Sequence, residues 1–351
     1  MSWLTEIARP EIRTLRAYEH ALWEPGLVRL HANELPWRAR GDSSHAGLNR
    51  YPEPHPHTLI AALAKLYGVE APMLLASRGS DEAIDLLIRS YCRAGEDAVI
   101  VCPPTFGMYG VAARVQGAAV IEVPLRRAAG FGCDFEAVRA QCRAGVKLVF
   151  LCSPNNPTGN RFATEAILAL ARELQGRALI VVDEAYVEFA DGPSLIAQLA
   201  AQPGLVVLRT LSKAYALAGA RCGALIAHPD VVALLHKVIQ PYALTQLTIE
   251  AVFQILEPAA IGEARAHCAT IKAERSRVAA ALRERAGVRQ VWPSEANFLL
   301  VEFADALAAL QRAHTAGLLL RDLRSAPGLA QALRISIGSP EQNDRLLASL
   351  L

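Results

Sequence analysis

The 351-residue chain is 52% hydrophobic and 20% charged, enough apolar material for a substantial core in one large and one smaller domain. Its formal net charge is +2, with basic residues spread throughout, which argues against nucleic acid or an anionic membrane as the principal partner. Glu6, Arg9, Glu11 and Arg13 interrupt the first residues, so no signal peptide is expected; no run is long enough to span a bilayer, and the seven scattered cysteines, without Cys-x-x-Cys spacing, read as reduced core thiols of a cytoplasmic protein with no metal site.

Residues 1–36 carry Pro10, Pro25, Gly26 and Pro36, which break any long element and predict an irregular arm. Its polar segment Leu30-His31-Ala32-Asn33-Glu34, with Asn49-Arg50-Tyr51-Pro52 beyond, suits a cover over a site, a contact with a second subunit, or a plain surface loop. From residue 58, Leu59, Ala62, Leu63 and Leu66 follow helical spacing up to Gly68. Ser77-Arg78-Gly79-Ser80-Asp81-Glu82 then precedes Ile84, Leu87, Ile88 and Tyr91, which predicts a helix whose first free amides form an anion site. Asp81 and Glu82 fit that reading only if they point away; otherwise they are the ordinary acidic first turn of a surface helix.

Short apolar runs at 98–102, 119–123, 146–152, 178–182, 205–208 and 224–227 alternate with helical patterns, the clearest capped by Thr164 and ended by Gly176. Strands apolar on both faces predict an α/β fold, a mainly parallel sheet sandwiched by helices. Ligands of such sheets bind beyond the carboxyl ends of the strands. There the chain places Ser153-Pro154-Asn155-Asn156-Pro157-Thr158-Gly159, Asp183-Glu184-Ala185-Tyr186, and the stretch around Lys213. After Pro241 the pattern changes to a long helix over 263–285, strands at 288–292, 297–303 and 333–337, and a helix over 304–316, predicting a second, smaller α+β domain. In its last strand Arg334 and Ser336 share the face opposite Leu333, Ile335 and Ile337. The expected division is an arm over 1–45, a large domain over 46–240 and a small one over 241–351.

Lys213 sits where a buried strand spills into a loop. A lysine partly desolvated there loses proton affinity and becomes a nucleophile able to form a Schiff base with an aldehyde. Ser212 and Arg221 flank it with a hydroxyl and a fixed positive fork, the groups that hold a phosphate monoester. An aldehyde carrying a phosphate points to pyridoxal 5'-phosphate (PLP). Ser-Lys alone fits a solvated surface turn better than a site; the convergence of polar segments on one sheet edge is what favours the site.

With these motifs assembled, the chain resembles, over essentially its whole length, the histidinol-phosphate aminotransferases among the fold-type I PLP aminotransferases. The resemblance rests on the segments quoted above, on Pro103-Pro104-Thr105-Phe106-Gly107-Met108-Tyr109, on the full stretch from Arg209 to Gly223, and on Leu333-Arg334-Ile335-Ser336-Ile337-Gly338. It implies that Lys213 holds PLP and moves the proton at the substrate α-carbon, that Asp183 keeps the pyridine nitrogen protonated, and that Asn156 and Tyr186 bond the phenolic oxygen. Tyr109 would stack on the ring; Gly79, Ser80, Asp81, Ser212 and Arg221 would hold the phosphate, joined by Tyr51 from the second subunit of a homodimer. The implied substrates are L-histidinol phosphate and 2-oxoglutarate, in histidine biosynthesis, with Arg334, Arg345, Tyr18 and Asn33 near them. Phe106 stands where a tyrosine is common and Ser80 where alanine is, and neither substitution is expected to touch a chemical role. An aromatic amino-acid aminotransferase and a phosphothreonine decarboxylase remain as alternatives on the same fold. A PLP-binding regulator would carry a DNA-binding domain, for which residues 1–36 are too few and insufficiently basic.

Overall fold

The computed structural model describes residues 2–24 and 26–350; Pro25, one of the predicted breakers, and the terminal Met1 and Leu351 lie outside the described residues. The larger sheet comprises β1 (Leu74–Ser77), β2 (Ala98–Val101), β3 (Ala119–Glu122), β4 (Val146–Cys152), β5 (Leu179–Asp183), β6 (Leu205–Thr210) and β7 (Gly223–Ile226), in the order β1-β7-β6-β5-β4-β2-β3. From β3 to β6 every pairing is parallel, and β7 runs against both of its neighbours.

Alternation explains why these strands are apolar throughout. Ile180, Val182, Leu205 and Val207 belong to the core on one face, Leu179, Val181, Val206 and Leu208 to the core on the other. The first face is covered by Leu59 and Leu63 of helix His57–Tyr67, Ile167 and Leu170 of helix Thr164–Glu173, and Ile249 and Val252 of helix Gln246–Ile255. The second is covered by Ile84, Leu87 and Ile88 of helix Ser80–Tyr91 and by helix Pro229–Leu235. Each such buried aliphatic side chain contributes about 1.5–3 kcal/mol by leaving water.

The smaller sheet comprises β8 (Val288–Val291), β9 (Phe298–Phe303), β10 (Arg321–Asp322) and β11 (Ala332–Ser336), antiparallel throughout in the order β10-β11-β9-β8. Helices Pro258–Arg283, Ala306–Thr315 and Pro340–Ser349 back it around a separate core. No helix among the described residues is long and apolar enough to cross a membrane.

The amino-terminal region departs from the expected arm. Residues Trp3–Glu6 and Pro10–Thr14 are helical, and Leu4, Ala8 and Ile12 are buried against the large domain. Pro10 opens the second of these short helices at the first position, where its missing N–H costs nothing, and no long helix runs through it. Among the described residues, 15–24 and 26–56 carry neither helix nor strand.

Candidate active site

The segments leaving β4, β5 and β6, the start of helix Ser80–Tyr91 and the approach to β7 meet at an open cleft of about 570 Å³, part of it open to solvent. Lys213 lies exposed in it, with Nζ 5.7 Å from the centroid of the Tyr186 ring. Enclosure by protein atoms, then the nearby Arg334 and Arg221 guanidiniums, lower its proton affinity below that of an ordinary lysine, against the opposing pull of Asp81 and Asp183. The amine is thereby biased toward its neutral, nucleophilic form.

Asp183, the last residue of β5, is 2% exposed. Its Oδ2 accepts a hydrogen bond from the Tyr109 hydroxyl at 2.7 Å and its Oδ1 one from the Ala185 N–H at 3.1 Å. Burial outweighs both donors and pushes its pKa up to about 6. A buried carboxylate of this kind gains from a cation placed in the cleft in front of it. Tyr186 also lines the cleft, and burial keeps its hydroxyl protonated well past neutral pH.

Tyr109 does not occupy the place expected of it. It is fully buried, stacked on Phe150 with ring centroids 4.8 Å apart and planes 9° apart, so its ring serves the core and its hydroxyl serves Asp183. Besides Tyr186, the aromatic residue lining the cleft is Phe106, three residues before Tyr109 in the loop ahead of helix Met108–Gln116. Phe106, set aside on sequence grounds as chemically silent, thus lines the cleft, where Tyr109 does not.

At the opposite end the cleft is built for an anion. Helix Ser80–Tyr91 begins at Gly79 without a side-chain cap, leaving its first amides free. Arg221, in the left-handed region at φ 57°, donates to Ser212 Oγ at 3.3 Å and to Asp81 Oδ2 at 3.1 Å. A Cβ on Gly79 would stand 2.8 Å from Arg221 Nη2, and one on Gly223 would stand 2.8 Å from the Gly79 carbonyl carbon. The guanidinium and the helix start can approach this closely only because both positions are glycine. The acidic first turn does not spoil the site, because Asp81 pairs with Arg221 and Glu82 accepts from both the backbone and the side chain of Arg78.

Arg334 on β11 reaches across from the small sheet and donates to Asn156 Oδ1; its Nε is buried without a partner. Leu333 and Ile335 beside it point into the small-domain core, as the alternation predicts. Register places Arg321 of β10 directly opposite Arg334, so two guanidiniums share one face of the small sheet. Arg321 was missed in the sequence because a two-residue strand leaves no pattern. Arg345, expected near the substrate, is exposed on helix Pro340–Ser349 and donates to the Ala316 carbonyl at 2.9 Å, and it is not part of the cleft lining. Tyr18 is 74% exposed, and Asn33 and Tyr51 border a separate surface cavity, where Tyr51 stacks on Tyr242 at 4.7 Å. The chain does not bring these three to its own cleft.

A fold of two such sheets, with a lysine and a buried aspartate facing one cleft and an anion cradle at its end, defines a cofactor-dependent group-transfer site. The family model for aminotransferase class I and II matches residues 30–350, and the chain belongs to that family. It is similar to a histidinol-phosphate aminotransferase of Stenotrophomonas maltophilia (strain R551-3), 50% identical over 348 residues that cover 98% of this chain and 95% of the relative. Another of Xylella fastidiosa (strain 9a5c) is 49% identical over 349 residues, covering 98% and 95%. Among solved structures, histidinol-phosphate aminotransferase from Sinorhizobium meliloti in complex with pyridoxal-5'-phosphate is similar with a TM-score of 0.76 at 26% identity, covering 86% of this chain and 82% of that one.

Proposed function

We propose that the chain is a PLP-dependent transaminase that takes the amino group of L-histidinol phosphate and passes it to 2-oxoglutarate, giving imidazole acetol phosphate and glutamate. The observation that carries this reading is the single cleft in which Lys213 and Asp183 face a cradle of helix amides, Ser212 and Arg221. The residues present fit the cofactor: a depressed lysine for its aldehyde, a buried carboxylate for its ring nitrogen, and an uncapped helix start for its phosphate. PLP, when bound, supplies a ring that takes up the electron pair left at the substrate α-carbon.

The chain's own residues do the rest. Asp183 would hold a proton on the PLP ring nitrogen, and Tyr109 behind it keeps the carboxylate aimed. Tyr186 and Asn156 would be the polar partners for the phenolic oxygen, and Phe106 an apolar partner for the ring. Lys213 would carry the proton to and from the substrate α-carbon. Arg334 binds the anionic end of either substrate, as a fork suited to carboxylate or phosphate.

A phosphate ester carries more charge than a carboxylate, and Arg321 is the second cation on the same face. Arg321→Ala is expected to raise the KM for histidinol phosphate about tenfold, the worth of one charge-assisted hydrogen bond, and that for glutamate much less. Arg345→Ala should leave both unchanged. Steady-state kinetics of the two variants decide this, and equal losses for both substrates in Arg321→Ala would contradict the role.

We propose further a cytoplasmic homodimer with sites completed across the interface. Supporting this, Tyr51 lies away from its own cleft, Leu30 and Trp37 of the same segment are 90% and 77% exposed, and all seven cysteines are free and buried, as a reducing compartment allows. Mixing inactive Lys213→Ala subunits with Tyr51→Ala subunits, then letting them re-assort, is expected to raise activity above the sum of the two separate preparations, because one site of each mixed dimer regains both residues. Strict additivity would refute the shared site.

A further inference from the structure

Arg209, the residue before Thr210 at the end of β6, is 7% exposed. Its guanidinium pairs with Glu188, lies 3.6 Å from Glu184 Oε2, donates to Ser194 Oγ at 3.4 Å and packs 4.8 Å over the Tyr67 ring. Glu184 is 1% exposed and is itself held by the Leu195 N–H at 2.8 Å and by the Ser194 hydroxyl. Burying such a group is costly, and a buried ion network is poor evidence of added stability. Its placement is more informative. In the segment 183–188, Asp183 and Tyr186 line the cleft while Glu184 and Glu188 turn back toward Arg209. On the β6 side, Thr210, Ser212 and Lys213 line the cleft.

Strand pairing between β5 and β6 ends at Asp183 opposite Leu208, followed by one more backbone bond from the Glu184 N–H to the Leu208 carbonyl at 3.0 Å. Beyond it no backbone bond joins these two segments among the described residues. Asp183 is the last residue of that ladder, and Tyr186, Ser212 and Lys213 sit past the point where it stops, with β6 held on its other side by β7 through Thr210. Arg209 takes over there.

We propose that Arg209 is a positioning residue that clamps, from behind the cleft, the two strand ends bearing Asp183 and Lys213. A planar fork can hold Glu184, Glu188 and Ser194 at once, which a lysine's point charge cannot. The clamp rests on the reading of the cleft as a PLP site. Arg209→Met alone would strand two carboxylates, so the main test uses the neutral variant Arg209→Met/Glu184→Gln/Glu188→Gln, with Arg209→Lys as its companion. A displacement of the reacting groups by a fraction of an ångström is expected to lower kcat at least about tenfold while KM for both substrates stays within about threefold. The pH midpoint of the bound cofactor's absorbance and the dissociation constant for PLP should also move in the neutral variant, and Arg209→Lys should fail to restore kcat. A purely structural role would lower the melting temperature and leave kcat and the absorbance midpoint at parental values; that result, in whichever variant folds, overturns the clamp. A parent protein that binds no PLP overturns the reading on which it rests.

Discussion

Replacing Lys213 with alanine is expected to reduce turnover by about 10⁴-fold or more, the upper range for a positioned proton-transfer group that also acts as a nucleophile. The fold should be indifferent to the change. The side chain is exposed in the cleft and makes no hydrogen bond or ion pair among the described residues, so its removal strands no buried partner. PLP should still bind, because the Gly79–Asp81 amides, Ser212 and Arg221 remain for its phosphate and Asp183 for its nitrogen. The measurement is turnover together with PLP retention after gel filtration. Near-parental turnover in a folded, PLP-bearing variant would contradict the assignment of Lys213.

The second large effect belongs to Asp183. Asp183→Asn keeps the shape and removes the charge that would hold a proton on the ring nitrogen, and kcat is expected to fall roughly 10²–10³-fold, as for other losses of a preorganised electrostatic partner. Tyr109→Phe tests the same group from behind. The tyrosine hydroxyl donates to the carboxylate and so favours its charged form; without it, the Asp183 pKa, already pushed up to about 6 by burial, moves higher. A hydrogen bond to a charged group is worth about 1.5–3 kcal/mol, so the acid limb of PLP binding, which this carboxylate of the cofactor-free protein governs, should shift upward by about one to two pH units. An unchanged acid limb would show that Tyr109 merely fills space. Its stacking on Phe150 would survive in either case.

The parallel part of the large sheet was legible because strands covered on both faces are apolar at nearly every position, and their runs alternate with longer helical patterns. The reversed strand β7 was visible as a strand but not in its direction, which depends on a pairing between residues far apart in the chain. Strand β1 escaped because Leu74–Ser77 has no β-branched residue and lies hidden between a helix end and a glycine turn. Pro10 was read as a breaker, whereas its position at a helix start makes it compatible with one. In the cleft, Lys213 and Asp183 stood out because Lys213 follows β6 and Asp183 ends β5, and Arg221 because it is a fixed cation eight residues after Lys213. That Tyr109 belongs to the core was legible too, had periodicity been applied: Tyr109, Ala112 and Ala113 follow the buried face of helix Met108–Gln116, and Phe106 precedes it. Arg321 and Arg345 could not be told apart by counting along the chain. Only cross-strand register sets Arg321 beside Arg334.

The central claim, transfer of an amino group from L-histidinol phosphate through Lys213-bound PLP, is tested most directly by the absorbance of the PLP-loaded protein on adding L-histidinol phosphate without an oxo acid. The expected result is conversion of the cofactor band to that of the aminated cofactor, restored on adding 2-oxoglutarate, which would demonstrate both halves of the reaction in one cuvette. A band that stays unchanged with L-histidinol phosphate, yet shifts with phosphothreonine or an aromatic amino acid, would contradict the proposed substrate and leave the cleft to a different amine.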